Sequence, residues 1–238
     1  AGLEALPLFM SMRAAIRAHV TMTMAGAAGN AADPAARTQA EDYLAAALAF
    51  LRPAPARLVA VGGLSGTGKS TLALALSPLV GAPPGARVLR SDVLRKRLAG
   101  VPPETRLPPE RYTPAASAEV YRTLVAEAAA LVGAGVTTIA DAVFADPAER
   151  RAIAAAAGSA PFTGLWLEAG ADVLRRRVGA RAATAADASD ATVSVVERQL
   201  GADIGDLGGW HRLAAGGTIG DMVESAMHCL DAGAARCR

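Results

Sequence analysis

The chain has 238 residues, 52% of them hydrophobic, enough for one α/β domain with a sizeable core, or one such domain plus a short extra piece. Its 24 basic and 22 acidic residues leave a net charge of +2, so no global field draws it toward nucleic acid or a membrane surface. Two cysteines, Cys229 and Cys237, are too few for a disulfide framework, and the opening residues lack the basic segment of a secretory signal; a reduced, cytoplasmic setting without a membrane span is expected.

Leu8 to Met24 reads as a helix with apolar Phe9, Met12, Ile16 and Val20 among Arg13, Arg17 and His19. Ala25 to Pro34 has the composition of a linker, and Thr38 to Leu51 is a second predicted helix, stopped by Arg52-Pro53-Ala54-Pro55. A short β-rich run, Leu58 to Gly62, then enters a glycine-rich loop, with helix resuming from Thr71 to Leu76. Further strands are predicted at Arg87 to Arg90, Val136 to Ala140, Phe162 to Leu167 and Trp210 to Ala214. Helices are predicted at Asp92 to Leu98, Ala115 to Val132, after Asp146-Pro147, Ala171 to Arg181, up to Gln199 and Ile219 to Leu230. Strands alternating with helices predict a parallel sheet covered on both faces.

The strongest signal is Gly63-Leu64-Ser65-Gly66-Thr67-Gly68-Lys69-Ser70, which fits G-x-x-x-x-G-K-[ST] between a strand and a helix. The glycines permit a tight loop whose backbone N–H groups face phosphate oxygens, and the following helix directs its positive end at the same anion. In that pattern Lys69 reaches the β- and γ-phosphates, Ser70 offers a hydroxyl to Mg²⁺, and Thr71 adds a hydroxyl near the α-phosphate. ATP with Mg²⁺ is the expected ligand.

Asp92 follows the second predicted strand, where ligands of wound α/β sheets collect. It is a candidate to take the proton of an attacking hydroxyl, while the alternative for Ser91 or Asp92 is helix N-capping. Arg95, one turn on, is placed to hold an anionic part of a substrate; Lys96 and Arg97 read as a solvated face. Asp141 ends the third predicted strand as an acid at an apolar strand tip, suited to Mg²⁺ or its waters, to orienting substrate, or to capping a loop. Arg150 and Arg151 read as surface residues. Among Arg175, Arg176, Arg177 and Arg181, the pair Arg177 and Arg181 shares a helix face and is assigned to the phosphates. The small, polar stretch Ala182 to Asp190 reads as a lid, with Ser189, Asp190 and Gln199 shaping its hinge, and Gly100 to Tyr112 with Tyr121 as the acceptor pocket.

The segments Leu58 to Thr71, Arg90 to Arg95, Asp141 to Phe144 and Ser189 to Gln199 resemble the C-terminal half of bacterial aminoglycoside phosphotransferase-like/ATP-binding fusion proteins. That half is similar to gluconate kinase, chloramphenicol phosphotransferase, zeta toxin and the kinase domain of polynucleotide kinase. The resemblance implies a P-loop NTPase fold, a three-layer α/β/α sandwich with a five-stranded parallel sheet of order 2-3-1-4-5, and ATP-dependent transfer to a hydroxyl. It also implies that Asp92 is the general base and that Arg95 contacts the acceptor.

Leu6 to Val20 resembles the last helix of the upstream phosphotransferase-like domain. The expected division is therefore 1–36, an N-terminal helix and linker left from such a domain, and 37–238, the kinase domain. The leading expectation is a kinase for a small hydroxylated metabolite, sugar or antibiotic. A nucleotide-binding regulatory module without phosphotransfer and a 5′-hydroxyl nucleic-acid kinase are the alternatives, the near-neutral charge standing against the latter. A homodimer or an upstream phosphotransferase-like domain is the expected partner of the apolar face from Leu8 to Val20.

Overall fold

A computed structural model of the chain describes residues 5–27, 33–52, 55–182 and 188–235. It begins with two paired helices, α1 (Leu6–Ala27) and α2 (Pro34–Phe50). The chain then alternates: β1 (Leu58–Gly63), α3 (Lys69–Leu76), β2 (Arg87–Arg90), α4 (Ser91–Leu98), α5 (Pro114–Gly133), β3 (Thr138–Asp141), α6 (Pro147–Ala155), β4 (Phe162–Glu168), α7 (Ala171–Ala182), α8 (Val193–Leu200), β5 (His211–Ala214) and α9 (Ile219–Ala235). The five strands form one parallel sheet in the order β2-β3-β1-β4-β5, the expected P-loop NTPase arrangement. No helix among the described residues is long and apolar enough to cross a membrane.

Three helices start at a proline after an oxygen-bearing side chain. Asp33 accepts from the Ala35 N–H, Thr113 from Ala116 and Asp146 from Ala148. Proline fits the first helical position because its missing N–H has no intrahelical partner there, and the preceding side chain satisfies a donor the helix cannot. That pairing moves the start of α2 back from the predicted Thr38 to Pro34, inside the predicted linker.

Strand β1 is buried along its length, and its alternating side chains face two cores. Leu58 and Ala60 join Leu89, Ala140 and Trp166 beneath Val120, Leu124 and Ala128 of α5 and Ile153 of α6. Val59 and Val61 join Ile139, Leu165 and Leu167 beneath Leu72 and Leu76 of α3 and Met222 and Leu230 of α9. Each fully buried Leu, Ile or Val contributes about 1.5–3 kcal/mol, so this short strand anchors both layers.

Several strand ends differ by one or two residues from their predicted bounds, two of them for a visible reason. β3 runs to Asp141 in register with Val61 and Arg90, bringing the acid inside the ladder. β5 begins at His211 because Trp210 lies across Gly164, where an added Cβ would come within 2.4 Å of the indole. Trp210 also stacks near Phe144 and Phe162, with ring centres 5.4 and 6.0 Å away. Strands β1, β2 and β3 thus end at one level, and the chain leaves each of them into the same cleft.

Candidate active site

The cleft at the carboxyl edge of the sheet encloses about 900 Å³. One wall is the loop 63–68 and the start of α3. Gly63, Gly66 and Gly68 have φ of 136°, 90° and 92°, values that disfavour a side chain. At Gly66 space is also limiting: a Cβ would meet Leu174 O and Val178 Cγ2 of α7, each at 3.0 Å. The loop is braced by Thr67, whose hydroxyl donates to Leu64 O at 2.8 Å. Leu64 O also accepts from Lys69 Nζ at 3.0 Å. Ser70 and Thr71 follow in the first turn of α3, and both line the cleft.

Asp141 sits at the floor. Ser70 Oγ donates to its Oδ2 at 2.5 Å, and Arg90 Nε stands 3.5 Å from the same oxygen. Burial pushes the Asp141 carboxyl above its ordinary value, while Lys69 and Ser70 pull the other way. A serine hydroxyl and a carboxylate so close together are the hard oxygen donors that suit Mg²⁺. Asp141 is the last residue of β3, at the point where the chain leaves the sheet.

Asp92 lies in the first turn of α4 and lines the cleft. The N-cap position belongs to Arg90, without a side-chain cap, so neither Ser91 nor Asp92 fills that role. Asp92 shares the cleft lining with Asp141 of the floor and with Tyr112 and Tyr121 of the acceptor wall. Arg95 braces that wall: it donates to Arg111 O at 3.0 Å and Ser117 Oγ at 3.3 Å, and lies 4.8 Å from the Tyr112 ring centre.

Two basic residues depart from the sequence reading. Lys96, expected on a solvated face, is 1% exposed and ion-paired with Asp190. Arg97 is indeed exposed and pairs with Glu127. Arg150, expected at the surface, is buried and donates to four carbonyls: Phe144 and Ala145 at 2.7 and 2.8 Å, Ile204 and Asp206 at 2.6 and 2.9 Å. It holds the turn after Asp141, where Phe144 has φ 52°, unusual for a side-chain-bearing residue. The Phe144 N–H donates to the Tyr121 hydroxyl at 3.1 Å, and the Phe144 ring packs edge-on to Tyr121. Glu149, which the sequence marks only by its spacing from the Asp146 helix cap, also lines the cleft, and burial pushes its carboxyl up to about 7.

The α7 arginines divide. Arg175 is tied to Asp172 and Glu197. Arg177 reaches the phosphate loop, with Nη1 3.5 Å from Gly66 O. The Arg181 side chain and residues 183–187 of the expected lid lie outside the described residues. Beyond them Gln199 Oε1 accepts from the Ser65 N–H at 2.8 Å, tying α8 to the phosphate loop.

A family profile described as an AAA domain matches residues 58–202. An uncharacterized protein of Mycobacterium tuberculosis (strain H37Rv) is 32% identical over 228 residues, covering 92% of this chain but 43% of its own length. The chain therefore spans less than half of that curated relative. Among solved structures, a sugar kinase from Janibacter sp. HTCC2649 has a TM-score of 0.54 at 22% identity, covering 74% of this chain and 95% of the other. The Mycobacterium tuberculosis APS kinase in complex with AMPPNP and APS has a TM-score of 0.54 at 21% identity, covering 75% and 99%. At these identities the likeness is one of fold, that of small P-loop kinases.

Proposed function

We propose, on the premise that the chain belongs to this AAA-domain family, that it is a kinase moving the γ-phosphoryl group of ATP to a hydroxyl of a small molecule: a metabolite, sugar or antibiotic. The observation that carries the reading is the convergence of the phosphate loop, the Ser70–Asp141 pair and Asp92 on one cleft. Fold neighbours named as sugar and APS kinases support a small acceptor.

In this reading the loop from Gly63 to Thr71 wraps the triphosphate, with the Gly63, Ser65 and Thr67 amides held by Val143 O, Gln199 Oε1 and Leu64 O and the other amides turned to the phosphates, and Lys69 binds the β- and γ-oxygens. Ser70 and Asp141 would hold Mg²⁺, which neutralises phosphate charge when bound. Asp92 takes the proton from the acceptor hydroxyl as its oxygen bonds to the γ-phosphorus and the bond to the β-bridging oxygen breaks, releasing ADP. Arg177, with Arg181 one turn on in α7, offsets charge on the transferring group. Arg95 and the 100–112 loop with Tyr121 shape the acceptor side. Residues 37–238 are taken as the kinase unit. Leu8, Met12, Ile16 and Val20 are exposed in a row four apart on α1, an apolar stripe suited to a second copy or an upstream phosphotransferase-like domain.

The test is an acceptor screen with γ-labelled ATP over sugars, sugar acids, nucleosides and aminoglycosides. Label should pass to one class, with slow hydrolysis in its absence. Asp92→Asn should lose transfer by at least ~100-fold while Mg-ATP affinity holds. Full turnover in that variant would remove Asp92 from the chemistry. ATP binding without transfer to any acceptor would favour a nucleotide-gated module instead.

A further inference from the structure

One carboxylate oxygen gathers donors from across the acceptor wall. Asp190 Oδ2 accepts from Lys96 Nζ of α4, from the Leu107 N–H at 3.0 Å and from the Tyr112 hydroxyl. Lys96 Nζ also donates to Thr105 O, so the loop between α4 and α5 is fastened at both ends of residues 105–112. The neighbouring Arg95 clamps the same loop through Arg111 O and the Tyr112 ring. Asp92 stands one turn earlier on α4.

The chain leaving Asp190 lines the cleft through Ala191 and Thr192, then enters α8, whose Val195 lines it too. There Val196 is fully buried against Leu174 and Val178 of α7. At the far end Gln199 accepts the Ser65 N–H of the phosphate loop. Residues 188–200 therefore touch both halves of the cleft through side-chain bonds at either end.

Resting on the kinase reading above, we propose that residues 188–200 are a strut that transmits nucleotide binding to the acceptor loop, with Asp190 as the positioning residue that fixes that loop. A buried ion pair is a poor way to gain stability, because desolvating two charges offsets most of their attraction. What it supplies here is register. Lys96 cannot lose its partner without leaving a buried ammonium uncompensated, so the loop has one satisfied arrangement. Burial pushes the Asp190 carboxyl up, but Lys96, Tyr112 and the Leu107 N–H outweigh it and hold the group ionised.

Hydrogen–deuterium exchange on the full chain with Mg-AMPPNP tests the strut, with calorimetry beside it. The nucleotide should slow exchange of the amides of residues 104–107 and 110–112 by about fivefold or more in the native protein. Asp190→Asn should bind Mg-AMPPNP within about threefold of native and lose that transmitted protection. Since the variant leaves Lys96 buried, two milder changes accompany it: Tyr112→Phe removes one donor and keeps the ring under Arg95, and Gln199→Ala opens the opposite end. Both should weaken transmission. With the acceptor from the screen, Asp190→Asn should raise KM about tenfold and leave kcat within about threefold. Native protein that binds nucleotide without protecting the loop, or full transmission in Tyr112→Phe and Gln199→Ala, would overturn the strut alone. Native protein that takes up no Mg-AMPPNP would overturn the nucleotide reading, and the strut with it.

Discussion

The two walls of the cleft are built by opposite means. The phosphate wall comes from contiguous residues, 63–71, whose glycines and helix start set the backbone path locally. The acceptor wall and the turn after Asp141 are held by side chains far apart in the chain: Lys96 meets Asp190 across 94 positions, and Arg150 meets Ile204 and Asp206 across 54 and 56. A wall set by local backbone geometry takes its path from its own residues, with α7 and Gln199 of α8 supporting it from outside. A wall set by long-range polar bonds is only as well placed as the elements that bring its partners together. Changes in the first should therefore cost binding, and changes in the second should cost stability and order.

The sharpest break of that contrast is Arg150→Met, which keeps the volume and removes donors to four carbonyls. Uncompensated buried acceptors cost about 1–3 kcal/mol each, less where the chain relaxes, so about 4 kcal/mol is expected. Thermal unfolding should show a melting temperature lower by roughly 10 °C. A loss within about 1 kcal/mol would mean that the turn after Asp141 keeps its shape without Arg150.

Lys69→Ala is the complementary change. Mg-ATP affinity should fall by ~100-fold, about 2.7 kcal/mol, in calorimetry, with the melting temperature of the free protein nearly unmoved. Equal heats for both proteins would remove Lys69 from nucleotide binding, and no heat in either would remove the phosphate wall.

The smallest effect lies at Glu149, whose folded pKa of about 7 exceeds its ordinary 4.5. The folded chain keeps a proton there that the unfolded chain releases, so the contribution is full below pH 4.5 and is lost as pH rises through about 7. Glu149→Gln should flatten that decline, measured by urea unfolding at about pH 5 and pH 8. Because the side chain is half-buried, solvent screening keeps the change modest. An unchanged slope would place the group in water rather than against Tyr121 and Asp146.

These contrasts explain which residues were legible before the fold was known. The phosphate loop could be read because each of its jobs is done by a residue type at a fixed offset. Asp141 and Asp92 could be placed because the chain leaves every strand of a parallel sheet at the same edge. Lys96 and Arg150 could not, since isolated basic residues are almost always solvated and only their distant partners make burial tolerable. Asp190 and Gln199 were visible as hinge candidates, but their bonds to Tyr112, Lys96 and Ser65 were not. Glu149 sits three residues after the Asp146 cap, a spacing that signals a helix start and says nothing of the cleft.

From its residues alone this chain was committed to a phosphate-binding strand–loop–helix and to alternating strands and helices. Both arise from local rules, the φ freedom of glycine and the burial period of each element. The order in which Asp190, Tyr112 and Lys96 meet, the turn at Phe144 under Arg150, and the approach of α8 to Ser65 were decided by the packed fold. Polar bonds between distant residues exist only after burial has excluded water and brought their elements into contact, and no short stretch of sequence carries that information.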